Sequence, residues 1–545
     1  MIRRRGRHAA RARVPFGPVL VALAVVTGSV VAWRLGAFEL GSSSGTAPQG
    51  DASPAAVPSL TPSPPAPSPS PSPAAVLTPG PINTSFPGLT TFRGNATRSY
   101  YGRGPVPAHP MIVWRYPTSG GLCMRSSDQN GVRTWCGTGW TGQPNVIQHP
   151  DGTIEVRIGA YDGHYHFLNG VTGAPMRPDL VTGDLAKGSA TSDPDGYPLY
   201  YAGSRDNLFR IVALDRPQPT VLWSIDANTS VPRPLWNNDW DGAALVIGDY
   251  LLEGGENSWL YVVRLHRGYD AAGKVTVHPR IVATIPGWDE RLLSDLGDTD
   301  VSIEDSVAFR NGVVYFANSG GLVQGWDISD LLHGGTRYRR VFRFWDGDET
   351  DASIVIDDQG YLYVARHRTT NVPSRPIARD HEVGDLMKLD PNDPRHPVVW
   401  SIQLGGFEPD GGLLGTPALS DGVVYATYTE GGVAAVDATT GRLLWRRALP
   451  GPTWSSPVVV GGRLLVGDGA GFLNCFDVSH PRRPPRLLWR LEIGGTIEST
   501  PAVWRGWIFV GTRAGGIYGI ADPRTVARAM GDGSTPAATT PRPSP

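Results

Sequence analysis

The sequence predicts an all-β protein built on an eight-bladed β-propeller, with seven blades as the alternative count. Similar segments recur between residues 414 and 520, spaced by 44 residues from Trp445 to Trp489 and from Pro457 to Pro501. Each copy holds four short β-rich runs separated by glycine-containing turns, which is typical of propeller blades. Five less regular copies between residues 140 and 400 bring the expected count to eight.

Within each copy, the order of residue types predicts four antiparallel strands. A proline-led apolar run, as at Pro457, is the innermost strand, and a pair such as Asp421 and Gly422 makes the tight hairpin that follows. The third strand ends at an aspartate such as Asp437, and the outer strand ends in Leu-Trp, as at Trp445. We expect this tryptophan to pack between neighbouring blades.

The segments at residues 416–426, 431–437 and 440–445 resemble the PQQ-like (pyrroloquinoline-quinone-like) β-propeller repeat family. That family includes quinoprotein alcohol dehydrogenases and the propeller lipoprotein of the outer-membrane assembly machine, so the resemblance implies a fold rather than one function. In its dehydrogenases, PQQ lies between a tryptophan and a disulfide of adjacent cysteines, assisted by Ca²⁺ and an aspartate base. Here the three cysteines are never adjacent, and no Cys-x-x-Cys-His motif occurs.

The N-terminal region predicts a membrane anchor. Residues 14–33 carry no charge and follow an arginine-rich start, and twenty such residues make about 30 Å of helix, enough to cross a bilayer. Because basic flanks stay in the cytoplasm, we expect a cytoplasmic tail at residues 1–13, a signal anchor at residues 14–33 in the cell membrane, and an extracellular propeller. A cleaved signal peptide is the alternative.

The remaining domain boundaries follow from composition. Residues 34–82 are rich in Pro, Ser and Ala and predict a disordered linker, residues 83–522 the propeller, and residues 523–545 a disordered tail. The segment Met111–Tyr116 looks like the outer strands of the clear repeats, and the last repeat lacks such a strand. We therefore expect this N-terminal segment to close the last blade.

The charge of the sequence excludes nucleic acid as a partner, and its cysteines predict one disulfide. The formal net charge is −1 at pH 7, with arginines concentrated before the apolar segment, so the rest of the chain lacks the basic footprint that nucleic acid requires. Outside the cytoplasm we expect a disulfide between Cys123 and Cys136, with free thiols as the alternative. Cys475 falls in a column of small residues and is expected to be buried.

The candidate binding residues lie in loops that enter the innermost strands, because these loops surround one mouth of a propeller's channel. Some are acidic and equivalent in the repeat alignment, and others belong to an aromatic, amide-rich loop suited to ligand or peptide recognition. We expect the mouth to comprise Trp236, Asp239, Trp240, Asp241, Glu304, Asp351, Trp454 and Glu498.

Neither the acids nor the histidines of the sequence predict a metal site. Carboxylates can hold Ca²⁺, but no stretch fits the EF-hand pattern, and a solvated polar rim with turn-forming aspartates is the alternative. His164 and His166 share one strand face, and no third ligand is visible beside them. We expect no cofactor.

Together these observations favour a non-catalytic, membrane-tethered propeller that acts as a binding, scaffold or sensor module. Its expected partner is a protein, a peptide or a component of the cell envelope. The alternative is an alcohol-type quinoprotein dehydrogenase that depends on PQQ and Ca²⁺.

Overall fold

Eight four-stranded antiparallel sheets follow one another along the chain as the blades of a propeller. The computed structural model describes residues 87–128, 131–140, 142–368, 382–406 and 411–531. The expected anchor at residues 14–33 and linker at residues 34–82 lie outside these ranges. Within them, no helix is long and apolar enough to cross a membrane.

The first four blades come from the part of the sequence where the repeat is least regular. Their strands, from the innermost outward, are Asn145–Gln148, Ile154–Ala160, His164–Asn169 and Leu180–Val181 in blade 1; Thr191–Ser192, Leu199–Ala202, Leu208–Ala213 and Thr220–Asp226 in blade 2; Leu245–Ile247, Tyr250–Gly255, Trp259–Arg264 and Arg280–Pro286 in blade 3; and Ala308–Arg310, Val313–Phe316, Leu322–Asp327 and Arg339–Trp345 in blade 4.

The last four blades include the three clear sequence repeats. Their strands are Val355–Ile356, Leu362–Ala365, Leu386–Leu389 and Val398–Ile402 in blade 5; Ala418–Ser420, Val423–Tyr428, Gly432–Asp437 and Leu443–Ala448 in blade 6; Val458–Val460, Arg463–Gly467, Phe472–Asp477 and Arg486–Glu492 in blade 7; and Ala502–Trp504, Trp507–Thr512, Gly516–Ala521 and Met111–Tyr116 in blade 8.

The expected hairpin geometry is present between the first two strands of the clear repeats. In blade 6, Asp421 and Gly422 both have positive φ, 50° and 71°. This is the backbone of a type I′ turn, which matches the right-handed twist of the strands it joins. The strand after this turn, Val423–Tyr428, is buried on both faces along nearly its whole length, because each blade is stacked between two others.

The outer-strand tryptophans link neighbouring blades, as predicted from the repeat. Each donates its indole N–H to a backbone carbonyl oxygen that lies beyond its own blade: Trp400 to Ala438 at 3.1 Å, Trp445 to Pro481 at 2.9 Å, Trp489 to Pro107 at 2.8 Å, and Trp114 to Gly170 at 2.9 Å. The Trp114 bond connects blade 8 to blade 1 and so completes the ring.

Ring closure by the N-terminal segment is confirmed, because Met111–Tyr116 pairs antiparallel with Gly516–Ala521. Two shorter N-terminal strands add to innermost strands. Gly88–Leu89 pairs antiparallel with blade 1, and Gly102–Arg103 pairs parallel with blade 8.

Between these short strands, residues 88–104 fill the axial channel, a feature that the sequence does not predict. This channel segment bonds to innermost strands around the ring: the carbonyl oxygens of Thr90, Ala96 and Thr97 accept from backbone N–H groups of blades 2, 4 and 5 at 2.7, 2.7 and 3.0 Å. Arg93 and Arg98 are fully buried within it. The segment closes the channel beneath the mouth.

The expected disordered tail is corrected at its start, because Pro523–Met530 forms a helix. Proline at the first turn favours a helix start, and the side chain of Val526 is fully buried against the blade 8 core. Residues 532–545 lie outside the described ranges. The other helices and small hairpins are Glu290–Leu296, Ser329–Leu332, Cys123–Asp128 with Gly131–Cys136, and Gly268–Tyr269 with Val275–Thr276.

Candidate functional site

A lysine surrounded by three carboxylates occupies the mouth. Nζ of Lys187 lies 2.7 Å from Oδ2 of Asp241, 3.1 Å from Oδ2 of Asp239 and 3.1 Å from Oε1 of Glu256. Lys187 and the two aspartates come from the loops that enter blades 2 and 3, and Glu256 follows the second strand of blade 3. The three carboxylates are buried.

Burial and mutual charge set the protonation of this cluster. Burial opposes the charge of Lys187, but Asp241, Glu256 and Asp239 hold its pKa well above the ordinary 10.5. Burial also raises the pKa of Asp241 to about 6, with Glu304 and Asp239 adding to the effect and Lys187 opposing it. The pKa of Glu256 is raised well above its ordinary value for the same reason. The lysine therefore stays protonated, whereas Asp241 and Glu256 bind protons more readily than ordinary carboxylates do.

A hydrogen-bonded chain joins two of the predicted acids. Oγ of Ser302 lies 2.9 Å from Oε1 of Glu304 and 2.7 Å from Oγ of Ser319, which lies 2.8 Å from Oδ1 of Asp351. Burial raises the pKa of Glu304 well above its ordinary value, and the charge of Asp351 raises it further. Glu304 and Asp351, which are equivalent in the repeat alignment, therefore also lie close together in the structure.

Aromatic and basic side chains form the adjoining part of the mouth. Nη1 of Arg513 lies 3.5 Å from Oε2 of Glu498, and its guanidinium lies 4.4 Å from the ring centre of Tyr161. Trp140, which precedes blade 1, donates its indole N–H to the carbonyl oxygen of Leu414 before blade 6 at 3.1 Å. Because these two residues belong to distant blades, the indole spans the mouth.

The expected disulfide between Cys123 and Cys136 is present, and it links the ends of a two-stranded hairpin beside the mouth. Trp135 of this hairpin packs edge-on against Tyr161, with ring centres 5.6 Å apart. The guanidinium of Arg205 lies 5.1 Å from the ring centre of Trp135. The hairpin is thereby held against the loops that connect the second and third strands of blades 1 and 2.

A groove of about 520 Å³ lies between this hairpin and the loop of residues 235–239. Its size falls within the range of about 300–1,000 Å³ typical of small-molecule sites. We call it the hairpin groove, and its lining residues are Ser127, Asp128, Asp184, Arg205, Asn207, Trp236, Asn237, Asn238 and Asp239.

The carboxylates around Lys187 do not fit the calcium and quinone site that the family resemblance implies. Oxygens of Asp239, Asp241 and Glu256 lie within 4.8 Å of one another, close enough to share a cation. The ammonium of Lys187 already bonds to all three. The disulfide joins the ends of a hairpin instead of adjacent residues. A second group, Glu349, Asp351 and His367, has the same spacing.

The structure separates the predicted mouth residues into three groups. Asp239 and Asp241 surround Lys187, Glu304 and Asp351 share the serine chain, and Glu498 pairs with Arg513. Trp236 lines the hairpin groove with 46% of its surface exposed, and Trp454 is 38% exposed.

Trp240 is a correction to the predicted mouth. It is only 1% exposed and packs between Phe209 and Tyr261, with ring centres 5.5 and 5.4 Å away. Its indole N–H donates to the carbonyl oxygen of Asn207 at 2.9 Å. The large apolar ring is more stable within the blade core than at a polar mouth, and its N–H finds a backbone partner there.

The two histidines of blade 1 are placed differently from a metal pair. Nδ1 of His166 lies 3.0 Å from Oδ2 of Asp179, and Nε2 lies 3.2 Å from Oδ2 of Asp162. Burial would lower the pKa of His166, but the two carboxylates raise it to about 9. Both ring nitrogens are then donors to carboxylates, so this ring has no lone pair for a metal.

Sequence reasoning missed Lys187, Arg205, Tyr161 and Trp140. Lys187 left one detectable sign, because the chain has only three lysines beside its many arginines. The compact ammonium of Lys187 contacts three carboxylates at once. The presence of a lysine in so arginine-rich a chain was therefore the signal that could have identified Lys187 as a site residue.

Comparison with known proteins supports the repeat assignment. Residues 384–483 match the family model described as "Outer membrane protein assembly factor BamB". The chain has no match among the curated proteins.

Among solved structures, the chain is similar to a europium-containing methanol dehydrogenase, with 12% identity, a TM-score of 0.51, and coverage of 80% of this chain and 98% of that chain. It is also similar to the quinohemoprotein alcohol dehydrogenase from Comamonas testosteroni, with 12% identity, a TM-score of 0.50, and coverage of 83% and 82%. At this identity the likeness shows the propeller fold alone.

Proposed function

We propose that this eight-bladed propeller, whose residues 384–483 match the assembly-factor family model, is a non-catalytic binding module for a protein, peptide or cell-envelope ligand. In this proposal, residues 14–33 anchor it in the cell membrane and the propeller stands outside the cytoplasm. The disulfide that links the ends of the hairpin beside the mouth is consistent with an oxidising compartment.

The observation that carries the proposal is the ion-pair cluster of Lys187. A catalytic lysine acts as a base or nucleophile only when its pKa is lowered, whereas three carboxylates hold the pKa of Lys187 well above its ordinary value. The same ammonium takes up the carboxylate oxygens that a catalytic cation would need. The three carboxylates of this cluster are thus already paired with an ammonium of the protein itself. Such an arrangement suits a rigid recognition surface better than a reaction centre.

Titration with PQQ distinguishes this proposal from the quinoprotein alternative. The full-length chain, purified in detergent, would be titrated with PQQ with and without CaCl₂ while absorbance and alcohol-dependent dye reduction are followed. We expect neither saturable calcium-dependent binding nor turnover. Calcium-dependent PQQ binding with alcohol oxidation would overturn the proposal.

Protease treatment of intact cells tests the location. A C-terminal epitope tag on the full-length chain should be removed by protease added outside cells whose outer layers have been made permeable. A cytoplasmic protein measured in the same cells serves as the control for lysis. Retention of the tag while the control is also retained would contradict an extracytoplasmic propeller.

A further inference from the structure

The hairpin groove presents one exposed indole on a fixed loop. Trp236 has a φ of 64°, an uncommon value for a bulky residue, and 46% of its surface is exposed. The loop is held by backbone bonds from Leu235 N to Asn257 O at 3.0 Å and from Glu256 N to Asp239 O at 3.1 Å. Backbone strain that the surrounding structure enforces is concentrated at ligand-binding sites. The ring is therefore displayed to solvent at an energetic cost.

Among the residues that line this groove, one donor and one acceptor lack partners. Nε of Arg205 bonds to Oδ2 of Asp239 at 2.7 Å, but Nη1 of Arg205 and Oδ1 of Asp239 are buried and form no hydrogen bond with any residue that the structure describes. Asp239 is fully buried. Buried polar atoms are nearly always satisfied, so an unmatched donor and acceptor in one groove point to a ligand that supplies both.

The other lining residues narrow the chemistry of that ligand. Trp236 is the one apolar side chain among the nine that line the groove, and the remaining eight are polar or charged. Peptides are generally anchored by apolar pockets, which this lining does not offer. Asp128, Asp184 and Asp239 outnumber Arg205, so the groove is also unfavourable for an anionic polymer.

We propose that the hairpin groove binds a neutral glycan, with the C–H face of a sugar ring on the indole of Trp236 and ring hydroxyls bonded to Arg205 and Asp239. A hydroxyl group both donates and accepts, which is what the unmatched pair of atoms requires. An indole offers a large rigid surface at low cost in conformational entropy. This inference rests on the proposed function and specifies its ligand class.

The test uses the full-length chain in a detergent that contains no sugar. Cellotetraose, chitotetraose, maltotetraose and mannotetraose would be titrated at up to millimolar concentrations, with binding measured by calorimetry and tryptophan fluorescence. We expect saturable binding of at least one of them. Trp236→Ala should weaken it at least about tenfold, because aromatic anchors dominate such sites, whereas Trp236→Tyr should retain most of the affinity.

The matched control is Tyr269→Ala, which removes another exposed aromatic ring from a different small hairpin. Its affinity should equal that of the unchanged protein. The melting temperature of Trp236→Ala should also be unchanged or slightly raised, because that ring is exposed and its backbone is strained.

Three results would overturn the glycan assignment: no saturable binding of any of the four sugars, an affinity that Trp236→Ala leaves unchanged, or an equal loss of affinity in the Tyr269→Ala control. If a peptide library instead gave binding that depends on Trp236, the glycan assignment would fail and the binding-module proposal would stand. Calcium-dependent turnover with PQQ would overturn that proposal and not the glycan site.

Discussion

Nζ of Lys187 lies 2.7 Å from Oδ2 of Asp241 in the mouth of the propeller. The two residues precede the innermost strands of adjacent blades, so their bond fixes the spacing of two loops at the same time as it neutralises charge. A buried ion pair adds little net stability when both partners are present, but removal of one partner leaves a buried charge that is costly.

Substitution Lys187→Met is expected to lower the free energy of unfolding by about 3–5 kcal/mol at pH 8. The loss should be smaller at pH 5, because the pKa of Asp241 is already raised to about 6 and protonation removes the unpaired charge. Urea denaturation at both pH values measures the difference.

The control for this variant is Lys274→Met, since Lys274 is exposed and bonds only to a carbonyl oxygen, of Asp215, at 2.6 Å. Millimolar CaCl₂ should stabilise Lys187→Met more than the unchanged protein, because the carboxylates would then be available to a hard cation. Equal unfolding energies for both lysine variants would show that the cluster does not stabilise the mouth.

Substitution Gly441→Ala is expected to destabilise blade packing. A Cβ at Gly441 would lie 2.7 Å from the Trp400 ring, whereas at Gly273, with a nearly identical φ of 70° against 71°, it would meet nothing within 4 Å. Both variants carry the backbone cost of about 1–2 kcal/mol for a left-handed alanine. Gly441→Ala should cost about 1–3 kcal/mol more, because it displaces the indole. Thermal unfolding of the two variants isolates this difference, and equal losses would show that the indole yields freely.

The repeat made much of the fold predictable, because its signals are local. The turn at Asp421 and Gly422 and the Leu-Trp ending at Trp445 are each read from a few neighbouring residues, and the period of 44 residues repeats such signals along the chain. The closing strand Met111–Tyr116 was predictable because it resembles the outer strand that the last repeat lacks.

The channel segment and the lysine cluster could not be predicted in the same way. Thr90 to Thr97 follow no period, and their partners are backbone groups of blades far along the chain. Lys187 meets Asp239 and Glu256 from 52 and 69 residues away, across loops of irregular length. The rarity of lysine draws attention to Lys187, but a single sequence does not show which residues surround it.

Substitution Arg98→Met is expected to loosen the channel segment. The Arg98 guanidinium donates to the carbonyl oxygens of Val307 and Ala243 at 2.9 Å each, and Glu253 and Asp305 oppose the lowering of its pKa to about 10 by burial. Its loss would leave these carbonyls without donors and two acids without a nearby cation. We expect a loss of about 3–5 kcal/mol in unfolding free energy.

The measurement is urea denaturation, together with limited proteolysis that maps cleavage between residues 88 and 104. Arg103→Met is the control, because Arg103 belongs to the same segment and is exposed. Unchanged protection of the segment in Arg98→Met would show that its backbone bonds to the blades suffice to hold it.

Substitution His166→Gln should remove a pH-dependent part of the stability. Asp162 and Asp179 raise the pKa of His166 to about 9 against the opposing effect of burial, whereas an unfolded histidine titrates near 6.5. Because the folded pKa is the higher one, the stabilisation is fully present below about pH 6.5 and is lost as pH rises through about 9. The stability difference between the unchanged protein and His166→Gln should therefore shrink by about 3 kcal/mol across that window. Urea denaturation at a series of pH values measures it, with the exposed His396→Gln as control. A difference that stays constant with pH would mean that the His166 ring is neutral between its two carboxylates.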